Sequence, residues 1–273
     1  MKTDYRETAD WLREKLPLIP KVAVILGTGL SEIAQRGEIR SQIPYGEIPG
    51  FVGSTAPSHK GNLILGTLGG KDVFFLQGRF HYYEGYSMQE VVFPTRVMAC
   101  LGLDTLIVTN AAGSLREYLR PGSIVMIKDH INHMGTNPLI GANDDDLGER
   151  FPSLNDAYDL EYMQICEAIA ALRKIAMQKG VYIGVTGPTL ESRAECAAFS
   201  GWGADLVGMS TVPEVIAASH AGMKVLAFSI VTNFSNLFHH HPHSQEEIRK
   251  NADMASNDLK DLISEFVSRL NDV

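Results

Sequence analysis

The chain has 273 residues, 45% of them hydrophobic and 21% charged, so it can bury a large core and is not globally disordered. Its 24 Lys and Arg against 32 Asp and Glu give a net charge of −8, which argues against general affinity for nucleic acid, because that needs clustered cations. No apolar run approaches the length of a membrane span, and Cys100, Cys166 and Cys196 show no CxxC spacing, as expected of reduced thiols in a cytoplasmic protein.

The first residues, with Asp4, Glu7 and Asp10 around Trp11, form a charged amphipathic segment and not a signal peptide. Short apolar runs then predict strands at Val22–Leu26, Leu63–Leu65, Val73–Leu76, Thr105–Thr109, Ile124–Ile127, Val181–Val185, Leu206–Val207 and Val225–Val231. Helical patterns fall between several of them, at Met88–Leu101, Leu160–Met177, Arg193–Gly201, Val212–Ala221 and Gln245–Leu270. Such alternation predicts an α/β fold whose sheet is covered by helices on both faces. With no linker, repeat or composition shift, it predicts a single domain over 1–273.

Ser87…Glu90, Ser192…Glu195, Thr211…Glu214 and Ser244…Glu247 share the S/T-x-x-E spacing of a capping box, each before an apolar periodic segment. Glu191 and Ser210 immediately precede two of these caps, which points both at the ligand-binding edge of the sheet.

The segments that follow the strands carry the chemistry. Gly27-Thr28-Gly29 follows the first strand, but Glu32 stands where a dinucleotide fingerprint needs its third glycine. What remains is a tight turn whose amides and Thr28 hydroxyl suit an anion. Gln77-Gly78-Arg79-Phe80-His81-Tyr82-Tyr83-Glu84-Gly85 brings together a permanent cation, an imidazole and two phenols. Arg79 offers a fork of donors suited to phosphate and His81 another donor; a solvated turn is the alternative.

Asn110-Ala111-Ala112-Gly113 lets a flat ligand or phosphate approach the backbone closely, or is a plain connection. Gly187-Pro188-Thr189-Leu190-Glu191 ends in a carboxylate able to accept from a heterocycle. Gly208-Met209-Ser210-Thr211 places a hydroxyl at a helix start, and Asn233 presents a donor and an acceptor together. His239, His240, His241 and His243 are interrupted by Pro242 and lack a carboxylate or thiol, so a loop of incidental histidines is the expectation and no metal site.

Taken in order, these segments resemble the trimeric purine nucleoside phosphorylases of the inosine/guanosine type. Ser58-His59-Lys60-Gly61, Arg150-Phe151-Pro152 and Thr232-Asn233 add to the match, which spans nearly the whole chain. The resemblance implies a three-layer α/β/α sandwich with a mixed, partly barrel-like central sheet. It implies an enzyme that uses inorganic phosphate as co-substrate, with no cofactor, to release purine bases from inosine and guanosine or their deoxy forms. By the same resemblance, phosphate would be held by Thr28, His59, Arg79, His81, Ala111 and Ser210, while Tyr83 and Met209 would meet the ribose. Glu191 and Asn233 would hold the base, in a pocket shaped by Ala112, Tyr182, Leu190 and Val207, with Asn233, Glu191 and His81 catalytic. Phe151 would reach the neighbouring subunit's site in a homotrimer.

Two positions depart from the family pattern. Leu190 stands where an aromatic is common, and Gln245 where a histidine often contacts the ribose 5′-hydroxyl, which leaves His243 as the nearest imidazole. A xanthosine-accepting enzyme, a methylthioadenosine phosphorylase and a non-catalytic purine or phosphate sensor remain the alternative readings; Asn233 speaks against the second.

Overall fold

A computed structural model describes residues 4–27, 30, 32–53, 60–239, 241 and 244–270, with residue 245 described by its backbone alone. Nine strands form one mixed sheet: β1 (Val22–Ile25), β2 (Ile39–Pro44), β3 (Asn62–Leu68), β4 (Lys71–Gln77), β5 (Thr105–Ser114), β6 (Ile124–Asn132), β7 (Met177–Gly184), β8 (Leu206–Gly208) and β9 (Lys224–Phe234). Their order is β2-β3-β4-β1-β5-β8-β7-β6-β9, and a further β5–β9 pairing closes β5, β8, β7, β6 and β9 into a barrel. This is the mixed, partly barrel-like sheet the sequence led us to expect.

Helices α1 (Tyr5–Lys15), α2 (Met88–Leu101) and α5 (Val212–His220) contact one another in series, while α3 (Leu160–Arg173) packs on α6 (Gln245–Arg269). The shorter α4 (Arg193–Gly201) buries Cys196 and Phe199 in a small cluster with Ile183 and Val207. No helix among the described residues is long and apolar enough to cross a membrane.

The feature that creates a site is the fork of β5. Its first residues, Thr105 to Val108, lie between β1 and β9, both parallel to it. β1 ends at Ile25, and only at Gly113 and Ser114 does β8 take over that side, running antiparallel. Thr109 to Ala112 therefore face a gap beside the end of β1, the kind of opening where α/β sheets bind ligands. A Cβ on Gly27 would come within 2.6 Å of the Thr109 carbonyl oxygen, so only glycine lets the turn after β1 lie this close. On the other side of β5, the register with β9 shifts between Ala112 and Gly113, so that Val231 and Asn233 are paired and Thr232 is bulged. Bulges re-aim side chains next to sites, and this one sits beside Asn233.

Most elements follow their sequence signals, but α3 and β2 do not. α3 stops at Arg173, because Lys174 takes a left-handed conformation (φ 57°), and Met177 already begins β7. β2 was unmarked by any apolar run, since as an edge strand it carries Arg40, Ser41 and Gln42 on a largely exposed stretch. The amphipathic N-terminal segment is the helix α1, capped by Asp4, whose side chain accepts from the Arg6 N–H.

Candidate active site

One cavity of about 270 Å³ opens at the fork, lined by the ends of β4, β5, β8 and β9 and by the turn before α4. Arg79 leaves β4 just past Gly78 and is only 5% exposed. Its Nη1 donates to Thr211 Oγ1 at 3.1 Å, and its Nη2 donates to the Thr109 carbonyl. The Glu214 carboxylate lies 3.7 Å from Nη1, with both side chains 4% exposed. A cation taken this far from water needs such a counter-charge, and the pair ties β4 to the first turn of α5.

Thr211 and Glu214 were expected to form a capping box, and they do not: Thr211 makes no side-chain cap bond. Both side chains are turned to Arg79 instead. Thr211 adopts φ 72° and ψ −54°, which a β-branched residue avoids, at a cost of about 1–3 kcal/mol. This conformation accompanies a hydroxyl that accepts from Arg79 and, at 2.8 Å, from Asn110 Nδ2. The boxes at Ser87 and Ser192 form as the spacing implied, and Ser244 accepts from the Glu247 N–H.

His81 lines the same cavity. Its Nδ1 lies 2.9 Å from Glu84 Oε1, which also accepts from the His81 backbone N–H at 2.8 Å. The carboxylate fixes the ring's orientation and favours the tautomer protonated at Nδ1. Tyr83 stacks on His81 with ring centroids 4.7 Å apart. Burial, with Glu84 adding to it and Arg79 opposing, raises the Tyr83 phenol above its ordinary range and keeps it protonated.

At the far end Glu191 and Asn233 face the cavity between Leu190, Val207, Met209 and Ile248. Burial raises the Glu191 carboxyl above its ordinary value, opposed by its own backbone N–H and reinforced by Glu195. Asn233 Oδ1 accepts from Thr232 Oγ1 at 2.9 Å, while Nδ2 donates to the Phe234 carbonyl at 3.0 Å. Asn251 Nδ2, from α6, donates to the Thr232 carbonyl at 2.8 Å and holds this bulge from behind.

Of the residues expected at the site, the cavity gathers Arg79, His81, Tyr83, Ala111, Ala112, Leu190, Glu191, Val207, Met209, Ser210 and Asn233. Tyr182 requires correction. It is 0% exposed and does not line the cavity; its hydroxyl accepts from the Ser210 N–H at 3.3 Å and also meets the Ser210 side chain. Only a glycine at 208 allows this, since a Cβ there would meet that hydroxyl at 2.3 Å. Burial pushes the Tyr182 phenol up to about 12, so it stays a neutral hydroxyl.

Phe151 lies outside this cavity, 84% exposed beside a separate groove with Ile140 and Leu154. Thr28, His59 and His243 lie outside the described residues, as does the side chain of Gln245. Among the described residues, no group of three His, Cys, Asp or Glu is placed to hold a metal ion.

Asn110, Thr211, Glu214, Glu84, Thr232 and Ile248 were not singled out as site residues. For Glu84 a signal existed: His81-x-x-Glu84 has the same i, i+3 spacing as the recognised caps. For Thr211 and Glu214 the signal pointed to a different role.

Arranged this way, the cavity can receive an anion at the Arg79 end and a planar ring with N–H donors at the Glu191 end. The sequence profile of the phosphorylase superfamily matches residues 21–268. The chain is 48% identical over 248 residues to purine nucleoside phosphorylase 1 of Bacillus subtilis, covering 91% of this chain and 92% of that protein. Among solved structures, it is similar to Schistosoma mansoni purine nucleoside phosphorylase in complex with inosine, at 36% identity and a TM-score of 0.91, over 98% of this chain and 97% of that one. Isoform 2 from the same organism, in complex with cytosine and ribose-1-phosphate, superposes with a TM-score of 0.93 at 39% identity over the same shares of the two chains.

Proposed function

The chain belongs to the phosphorylase superfamily, among its purine nucleoside phosphorylases, and from that premise we propose how its cavity performs phosphorolysis. The enzyme cleaves the N9–C1′ bond of inosine, guanosine and their 2′-deoxy forms with inorganic phosphate, giving a free purine and (deoxy)ribose 1-phosphate, a reaction of purine salvage. The observation that carries this reading is a single cavity with a buried, donor-rich cationic end and a carboxylate–amide end.

Glycosidic cleavage passes through an oxocarbenium-like transition state, with positive charge on the sugar and negative charge on the departing base. Phosphate at Arg79, His81, Ala111 and Ser210 lies beside that cation and then attacks C1′ as the C–N electrons leave with the purine. Tyr83 and Met209 flank the ribose. Asn233 donates to N7 or O6 of the leaving base, exchanging its Phe234 partner for the ligand. Glu191 accepts from N1–H and, in guanine, from the 2-amino group. Adenine lacks that N1–H, and an unpaired buried carboxylate is costly, so 6-keto purines are preferred.

The finer assignments extend the same reading. The exposure of Phe151 fits a residue covered by a neighbouring subunit, in a cytoplasmic homotrimer whose adjacent site it completes. No cofactor or metal takes part in the chemistry.

A substrate panel with and without phosphate tests the function. Inosine and guanosine should release base only when phosphate is present, and adenosine should be cleaved far more slowly. Release without phosphate would mean hydrolysis. Binding without release would leave a sensor.

A further inference from the structure

Behind Ser210 runs a line of side-chain hydrogen bonds with a single direction. Ser229, on β9 and 0% exposed, donates from Oγ to Asn110 Oδ1 at 2.7 Å. Asn110 Nδ2 donates onward to Thr211 Oγ1 at 2.8 Å, and Arg79 Nη1 donates to the same oxygen at 3.1 Å. Amide and guanidinium N–H groups can only donate, so the two lone pairs of the Thr211 hydroxyl are engaged. Its one proton then has Ser210 Oγ, 3.3 Å away, as its acceptor. Ser210 Oγ also meets the buried Tyr182 hydroxyl, whose oxygen already accepts from the Ser210 N–H; with Thr211 and Tyr182 both able to donate to it, the serine oxygen turns its own proton toward the cavity it lines.

We propose that the buried chain Ser229–Asn110–Thr211 sets the direction of the Ser210 hydroxyl proton, so that Ser210 acts only as a donor to the co-substrate anion, with Thr211 the positioning residue at the junction with Arg79. A free hydroxyl can present either its proton or a lone pair. This one is committed before the anion arrives, and consecutive hydrogen bonds polarise one another in the same sense. The left-handed backbone of Thr211 belongs to the same device, because this hydroxyl meets Arg79, Asn110 and Ser210 at once. The inference rests on the phosphorolysis reading for the identity of the anion, but not for the direction of the protons.

The test uses the full chain and two readouts: the dissociation constant of inorganic phosphate by calorimetry, and KM for phosphate and for inosine by steady-state kinetics. Thr211→Val keeps the branched shape and removes the hydroxyl. It should weaken phosphate binding and raise its KM by about 10–100-fold, the range for a lost hydrogen bond to a charged group, with inosine KM changed less than about 3-fold. Thr211→Ser should restore phosphate binding to within about 3-fold of wild type.

Unchanged phosphate binding in Thr211→Val overturns the proposal. So does a parallel rise in both KM values that Thr211→Ser fails to rescue, since that is the signature of a merely structural residue. If Thr211→Val does not fold, Ser229→Ala decides the matter at the start of the chain. A rise of about 2–5-fold in the phosphate dissociation constant supports the proposal, and no change overturns it. A wild-type protein that binds phosphate but never cleaves inosine would defeat the proposed function and leave the calorimetric comparison to judge this inference.

Discussion

At the anion end, the groups that meet at Thr211 come from β4, β5 and the start of α5, and their hydrogen bonds join residues 101 and 132 positions apart in the chain. At the base end, both side-chain bonds of Asn233 go to its immediate neighbours, Thr232 and Phe234. The first arrangement is buried and linked through the tertiary fold, so it is complete before any ligand arrives. The second is half-buried and local, so its donors can be re-aimed by a purine. Substitutions at the anion end should therefore damage stability and phosphate handling together, whereas those at the base end should change turnover and base choice while leaving the fold nearly intact.

The largest effect that could break this contrast is expected at Arg79. Arg79→Ala strands the Glu214 carboxylate, and breaking a buried pair by removing one partner costs about 3–5 kcal/mol. Urea unfolding should show that loss alongside the loss of phosphorolysis; a cost below about 1 kcal/mol would mean the anion end is not a structural unit.

Asn233→Ala should lower turnover on inosine by about 10²–10³, as for other single donors to a developing negative charge. Its stability should move by no more than about 1.5 kcal/mol, the upper range for one ordinary hydrogen bond. Equal damage to both quantities would erase the difference between the two ends.

Glu191→Gln sharpens the contrast by separating stability from activity. Burial raises the folded Glu191 carboxyl above its ordinary value, so the folded state holds this proton more tightly than the unfolded chain does. Stability from this group is present at low pH and is lost as pH rises through the raised folded value. Above that window the glutamine variant should be at least as stable as wild type, and below it the difference should shrink. Meanwhile kcat/KM for inosine should fall by about 10–100-fold, the range for a hydrogen bond to a charged group. Thermal unfolding across pH checks the first part; a variant less stable at neutral pH than at acid pH, relative to wild type, would reverse the sign.

The smallest effect is expected at Leu190, which is 51% exposed at the cavity's edge. Leu190→Phe should tighten purine binding several-fold, since an aromatic contact contributes about 0.5–1.5 kcal/mol beyond area. Titration of hypoxanthine into both proteins measures it.

The same contrast explains what could be read from the chain before its structure. β1, β4 and β9 announce themselves because buried strands read as apolar runs, and α2 and α4 because their caps are local chemistry within four residues. Asn233 and Glu191 were legible as candidates because one sits at the end of a strand and the other just before a helix cap. Thr211 and Glu214 were legible only as a cap, and wrongly so. Their partners, Arg79 and Asn110, are remote in sequence, and a long-range pairing leaves no spacing to recognise. Tyr182 was placed at the pocket by the family resemblance alone, and its complete burial and its bond to the Ser210 N–H leave no sequence spacing to recognise.

The most direct measurement is a crystal structure of the protein with hypoxanthine and ribose 1-phosphate bound together. The expected result is a phosphate within hydrogen-bond reach of Arg79 and Ser210, and a base held between Glu191 and an Asn233 amide that has left Phe234. A purine bound away from that carboxylate and amide, or a phosphate that touches neither Arg79 nor Ser210, would contradict the two-ended cavity.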